Sequence, residues 1–127
     1  MIRGLIVVAA IIPSLALAVP PPPGSADAKE LSTFSATEKE WIAKQHDHMG
    51  RFCCSEGDFA FVTIRQHGNV LEARPKHPDP SRGIPDKWLP IEDDRRVDLK
   101  NQKNVPDVVA AWYYNEKIQC VILGGGY

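Results

Sequence analysis

Residues 108–123 read VVAAWYYNEKIQCVIL. Two apolar-rich runs, Val108–Tyr114 and Lys117–Leu123, flank Asn115-Glu116, and an asparagine that tolerates positive φ in a two-residue loop marks a tight β-hairpin. If pairing continues from that turn without interruption, Tyr113 faces Ile118, Ala111 faces Cys120 and Val109 faces Ile122. That side of the ribbon is apolar throughout. The other side pairs Tyr114 with Lys117, Trp112 with Gln119, Ala110 with Val121 and Val108 with Leu123, a mixed face expected to be half exposed. The glycine-rich tail, Gly124 to Tyr127, has little to hold it and is expected to fray.

Upstream the chain repeats the strand signal more weakly. Phe59–Gln66 is rich in aromatic and β-branched residues, His67, Gly68 and Asn69 supply turn chemistry, and Val70–Arg74 reads as a returning strand. Prolines at 75, 78, 80 and 85 forbid a regular ladder, so Pro75–Pro85 is a long loop. Trp88–Ile91 is a short strand that Pro90 confines to an edge or a bulge. Before the first strand, two capping-box patterns overlap, Ser35-x-x-Glu38 and Thr37-x-x-Glu40, and predict a helix from about Ala36 or Glu38 to Asp47, with Gly50 as a stop. The expected fold class is α+β: one N-terminal helix packed on a small antiparallel sheet of about five strands, able to roll into a partial barrel.

The N-terminus has a different character. Arg3 charges a short start, an apolar run extends from Leu5 to Ile12 and resumes through Leu15–Leu17, and Ala16-Leu17-Ala18 is a small-x-small pattern. That is the order of a cleavable secretion signal, so residues 1–18 are read as a signal peptide cut after Ala18. The run is too short for a membrane span, which needs about 20 apolar residues, so no stable span is expected after cleavage. Residues 19–34 begin with four prolines at 20–23 and are read as a proline-rich, disordered leader. Residues 35–127 then form a single domain, placed in the periplasm or outside the cell.

Cleavage leaves 109 residues, and because Arg3 is the only charged residue lost, the formal charge moves from −1 to −2. Near-neutral charge and the lack of any run of five or more like charges argue against a general nucleic-acid binder, so no nucleic-acid partner is expected. Three cysteines, Cys53, Cys54 and Cys120, enter an oxidising compartment and are expected to form one disulfide. Adjacent cysteines rarely bridge each other, so Cys120 pairs with Cys53 or Cys54. Cys54 is the preferred partner because alternation in extended chain puts Phe52 and Cys54 on the same, core-facing side, with Cys53 as the alternative. Such a crosslink is worth roughly 4 kcal/mol in the loop-entropy account.

The elements Cys53-Cys54-Ser55 with Asp58, Trp88-Leu89-Pro90, Trp112-Tyr113-Tyr114 and Cys120 before a Gly-rich end are similar to a group of small secreted proteins of unknown function in alphaproteobacteria and their phages. The similarity covers about residues 40–127. In that group a further cysteine commonly follows the Asp, whereas this chain has Phe59 there, which leaves an odd thiol. The resemblance implies a secreted protein and supplies no activity.

Three function classes follow from the residues. The first is a non-catalytic binding or structural module of the envelope. It would use Trp112, Tyr114, Lys117 and Gln119 on the mixed hairpin face, with Trp88, to hold an envelope protein or a glycan, since exposed aromatics beside polar groups suit such partners. Competing with it, these aromatics can equally serve as core in so small a domain. The second is a metal site from His46, His48, Cys53 and Cys54, all zinc or copper ligands by type, but without a familiar ligand spacing. The third is a thiol-dependent enzyme using the odd cysteine, with His46, His48 or His67 as base and Asp47 or Asp58 as orienter. No motif requires a cofactor.

Overall fold

The computed structural model of the chain describes residues 20–55 and 57–125; the segment read as a signal peptide lies outside the described residues. Five antiparallel strands form one curled, half-barrel sheet: β1 (Asp58–His67), β2 (Val70–Pro75), β3 (Leu89–Pro90), β4 (Val109–Tyr114) and β5 (Lys117–Leu123), in the order β3-β2-β1-β4-β5. Two short helices precede the sheet, α1 (Ala26–Leu31) and α2 (Ala36–Ala43). The α+β class, with a sheet rolled toward a barrel, is as the sequence indicates.

β1 is the central strand and changes partner along its length. Asp58–Phe61 pairs with β4, and Val62–His67 pairs with β2. The β2 ladder ends at Pro75, and after Lys76 N donates to Phe61 O at 2.9 Å the chain departs. Phe61 N then needs another acceptor, because an unpaired buried amide is costly. Asp27 Oδ1 supplies it at 3.3 Å.

That contact comes from the segment expected to be a disordered leader. Residues 26–31 instead form α1, capped where Ser25 Oγ accepts from Ala28 N at 3.1 Å, and Asp27 is buried. Phe34, four residues beyond Glu30, stacks on Phe61 with centroids 5.8 Å apart, and Lys76 Nζ lies 3.4 Å from Glu30 Oε1. The segment is ordered by these tertiary contacts, which composition does not reveal.

α2 begins with the capping box read from the sequence: Ser35 Oγ accepts from Glu38 N at 3.1 Å and Glu38 Oε1 accepts from Ser35 N at 2.9 Å. It ends at Ala43 rather than Asp47. Asp47 competes with the helix, its Oδ1 accepting from Met49 N at 2.8 Å and Arg51 N at 3.1 Å, a local turn that a mid-helix carboxylate cannot make. His46 pairs with Phe52 instead, and Asp47 with Val97.

The terminal hairpin turns at Asn115-Glu116, with φ of 51° and 64°, the two positive angles of a type I′ turn. Tyr114 faces Lys117 and Tyr113 faces Ile118, as read from the sequence. Beyond that the register differs. A β-bulge lies between Trp112 and Tyr113, so Cys120 faces Trp112 rather than Ala111, and Val121 faces Ala111. One extra residue on β5, Gln119, shifts the remaining ladder, and Leu123 rather than Ile122 faces Val109. Nor does Gly124 fray: it is buried, donates to Val108 O at 2.8 Å, and a Cβ there would stand 2.5 Å from Pro106 O.

The disulfide joins Cys53 to Cys120, with Cα atoms 5.3 Å apart, and this corrects the preferred Cys54 pairing. Phe52 does not face the core. It is 52% exposed and packs on His46 with ring centroids 3.9 Å apart, the two being cross-strand partners, so the inward position falls on Cys53. Cys54 lies half-buried outside the bridge, against the core on the helix side.

Both faces of the sheet are covered. Phe59, Phe61, Ala110, Trp112, Cys120 and Ile122 pack with Ile42 and Cys53 on the helix side, while Ala60, Val62, Ala73, Ala111, Tyr113 and Val121 pack with Ile84 and Ile91 on the other face. Phe59 meets Phe61 and Trp112 edge to face, at centroid distances of 5.0 and 5.2 Å.

Candidate binding surface at the hairpin tip

The bulge decides which aromatic residues reach solvent. Trp112 is 0% exposed, and its Nε1 has no hydrogen-bond partner among the described residues, so it belongs to the core and not to the mixed face expected of it. Tyr113 is likewise buried, its phenol pushed up beyond the ordinary tyrosine range by burial. Tyr114 alone of the three is on the surface, 65% exposed at the end of β4. Lys117, directly opposite, is exposed, and Gln119 is half-buried where its Oε1 lies 3.4 Å from Arg95 Nη1. Trp88 is half-buried and takes the guanidinium of Arg65 over its ring at 4.3 Å, a cation–π contact separate from the hairpin tip.

The tip is held by the proline loop. Glu116 N donates to Gly83 O at 3.1 Å, and Gly83, at φ 69°, approaches so closely that a Cβ would stand 3.1 Å from Asn115 N. The loop is itself closed by the reciprocal Asp79 N to Ile84 O and Ile84 N to Asp79 O bonds, at 3.0 and 3.1 Å. Ser81 Oγ donates to Asp79 Oδ1 at 2.6 Å. Two rigid turns therefore meet, and between them lies an open hollow of about 580 Å³ lined by Asp58, Ser81, Arg82, Tyr114, Asn115 and Glu116.

Its floor is a charge pair. Arg82 Nε lies 3.5 Å from Asp58 Oδ1, and Arg82 Nη1 lies 3.9 Å from Asp79 Oδ2. The side chains of Arg82 and Asp58 are only 14% and 20% exposed, so the hollow is the route by which solvent reaches them. Arg82 Nη2 also donates to Phe59 O at 3.3 Å, which fixes the guanidinium to β1. On the other flank of the same tip, a cleft of about 360 Å³ separates the two edge strands, with Leu89 and Pro90 facing Lys117 and Ile118, and Glu92 and Arg95 at its rim.

Among the described residues no three His, Cys, Asp or Glu side chains come together to hold a metal ion, and Cys53, one of the four residues considered as ligands with His46, His48 and Cys54, is in the disulfide. Asp47, considered as an orienter for a thiol, is instead bound to Arg51, whose Nε donates to its Oδ2 at 2.7 Å. Burial acts against the Asp47 charge, but the amides of Arg51 and Met49 and the guanidinium outweigh it and hold the carboxyl below its ordinary range. Asp58, the other orienter considered, is the partner of Arg82, and His67 stands at the far end of β1 beside the β1–β2 turn. Sequence reading missed Asp58 and Arg82 as a pair; the only signal was a glycine closing a proline-rich loop.

No family model, curated protein or solved structure matches this chain. Among the described residues no helix is long and apolar enough to cross a membrane.

Proposed function

We infer that the chain is exported after removal of residues 1–18 and works in the periplasm or outside the cell as a non-catalytic binding module, recognising an envelope component through the β4–β5 hairpin tip. The observation that carries the reading is Tyr114, a large aromatic side chain left 65% exposed on a turn that is pinned to a second loop and flanked by two hollows. An exposed aromatic on a rigid support contributes contact area with little ordering cost, the property of a binding anchor. Lys117 beside it adds a solvent-facing charge, and Gln119 marks the inner edge of the second cleft. The Cys53–Cys120 disulfide supports the export half of the reading, because such bonds persist in oxidising compartments.

The test is sedimentation of the exported protein with washed envelope fragments. The parent is expected to co-sediment, and Tyr114→Ala and Lys117→Glu to remain in the supernatant with unchanged melting temperature. Co-sedimentation that survives both changes, or a parent that never sediments, defeats the reading.

A further inference from the structure

The geometry points to a saccharide site in the hollow between the hairpin tip and the proline loop: a neutral, hydroxyl-rich pyranose stacked on Tyr114, with adjacent hydroxyls on Asp58 and Arg82. The inference deepens the reading above and rests on it, since it names the ligand class for the same tip.

Three features of the hollow bear on ligand class. Tyr114, 65% exposed, is the one aromatic residue in its lining and Pro80 the other apolar one, among six polar or glycine neighbours, a platform for one flat, weakly polar molecule rather than for a lipid. At the floor, Asp58 has strong acceptor capacity and Arg82 strong donor capacity, and neither is exhausted. Among the described residues the Asp58 carboxylate has only Arg82 Nε at 3.5 Å, and of the five guanidinium N–H groups one makes a hydrogen bond, to Phe59 O. A hydroxyl group both donates and accepts, so two neighbouring hydroxyls can give one proton to Asp58 and receive one from Arg82. Ser81 and Asn115 add polar groups at the rim.

Charge narrows the choice further. A phosphate or carboxylate ligand brought to Arg82 would meet Asp58, Asp79 and Glu116, all negative, and like charges at that range are repulsive. A cation brought to the carboxylates would meet Arg82 between two of them. A neutral ligand encounters neither penalty. A β-linked hexose with equatorial substituents presents a flat C–H face to the Tyr114 ring and hydroxyls at its edge to the floor. The hollow, about 580 Å³ and open on one side, has room for more than one ring of a chain that continues into solvent. Because the walls are fixed through Glu116 N to Gly83 O, little ordering accompanies binding.

The test is an NMR titration of the oxidised exported chain with cellotetraose and with chitotetraose, and with inorganic phosphate and tetralysine as charged probes. The expected result is a saturable shift of the Ser81–Gly83 and Tyr114–Glu116 amides with at least one saccharide. Affinity should fall about tenfold or more in Tyr114→Ala and in Asp58→Asn, and be largely retained in Tyr114→Phe. Absence of saturable shifts with both saccharides, shifts that Tyr114→Ala leaves unchanged, or shifts of the same amides by phosphate or tetralysine alone overturn the saccharide assignment. The sedimentation assay separates the two levels. Tyr114-dependent retention on envelope without saccharide binding overturns only the ligand class, whereas a parent that is not retained, or retention that Tyr114→Ala leaves intact, overturns the binding role itself.

Discussion

Trp112 faces Cys120 across the β4–β5 ladder, one residue out of the register that Tyr114 and Lys117 set at the turn. The bulge that causes this puts the indole and the disulfide on the same side of the sheet, under the helices, with Phe59 5.2 Å from the indole. Tyr114, two positions on, shares the strand parity of Trp112 but lies past the bulge, where it is 65% exposed.

The two aromatics therefore separate cleanly by mutation. Trp112→Ala removes the largest fully buried side chain and is expected to cost about 3–5 kcal/mol by urea denaturation. Tyr114→Ala is expected to stay within about 0.5 kcal/mol of the parent. Comparable losses at both positions would contradict the assignment of one to core and the other to surface.

The bridge gives a second measurement. Peptide mapping without reduction should recover Cys53 joined to Cys120, with Cys54 alkylated after unfolding. Cys120→Ser is expected to cost roughly 2–5 kcal/mol, and Cys54→Ser to leave the bridge and most of the stability in place. Recovery of a Cys54–Cys120 peptide instead would reverse the pairing.

The parts of the fold that local chemistry decides were legible in the sequence: the capping box at Ser35 and Glu38, the edge strand at Pro90, and the Asn115-Glu116 turn with its first two pairs. What was not legible depends on a third partner. The bulge at Gln119 has no local signature, because Ala111 and Trp112 are equally acceptable opposite Cys120 until both sheet faces are known to be buried. Alternation suggested that Cys54 points inward, but the His46–Phe52 pairing resets the parity at Cys53. The order of residues 26–34 rests on Asp27 reaching Phe61 N and on Phe34 reaching the Phe61 ring, contacts over more than twenty-five positions. The hollow is the same kind of case, since Asp58 and Arg82 meet only after the proline loop folds back on β1.

Export is tested at the N-terminus. Edman sequencing or intact mass of protein recovered from the periplasm or medium is expected to start at Val19, the residue after Ala18. A chain beginning at Met1, or one retained in the inner membrane, would count against export by cleavage.

Two buried carboxylates, Asp27 and Asp47, make stability depend on pH with opposite sign. Burial pushes the Asp27 carboxyl above its ordinary value of 3.8, while the Phe61 amide and the charges of His77 and Arg82 pull it back only in part, and Glu30 pushes with burial. A folded pKa above the unfolded one means that the contribution of Asp27 is fully present below the unfolded value and is lost as pH rises through the folded value. Asp47 is the reverse. Its folded pKa lies below 3.8, so its contribution is present above the unfolded value and is lost as pH falls through the folded one. Asp27→Asn keeps an acceptor for Phe61 N and removes a buried charge, so it is expected to raise stability near neutral pH and to make no gain in acid. Asp47→Asn retains an oxygen for the Met49 and Arg51 amides but turns a donor toward Arg51 Nε. It is expected to cost about 1–3 kcal/mol near neutral pH and progressively less as the parent carboxylate protonates. Urea titrations from about pH 2.5 to pH 7 would read both, the acid range lying near the ordinary aspartate pKa. An Asp27→Asn variant less stable than the parent at neutral pH, or an Asp47→Asn cost that does not shrink in acid, would show that these carboxylates do not carry the charges assigned to them.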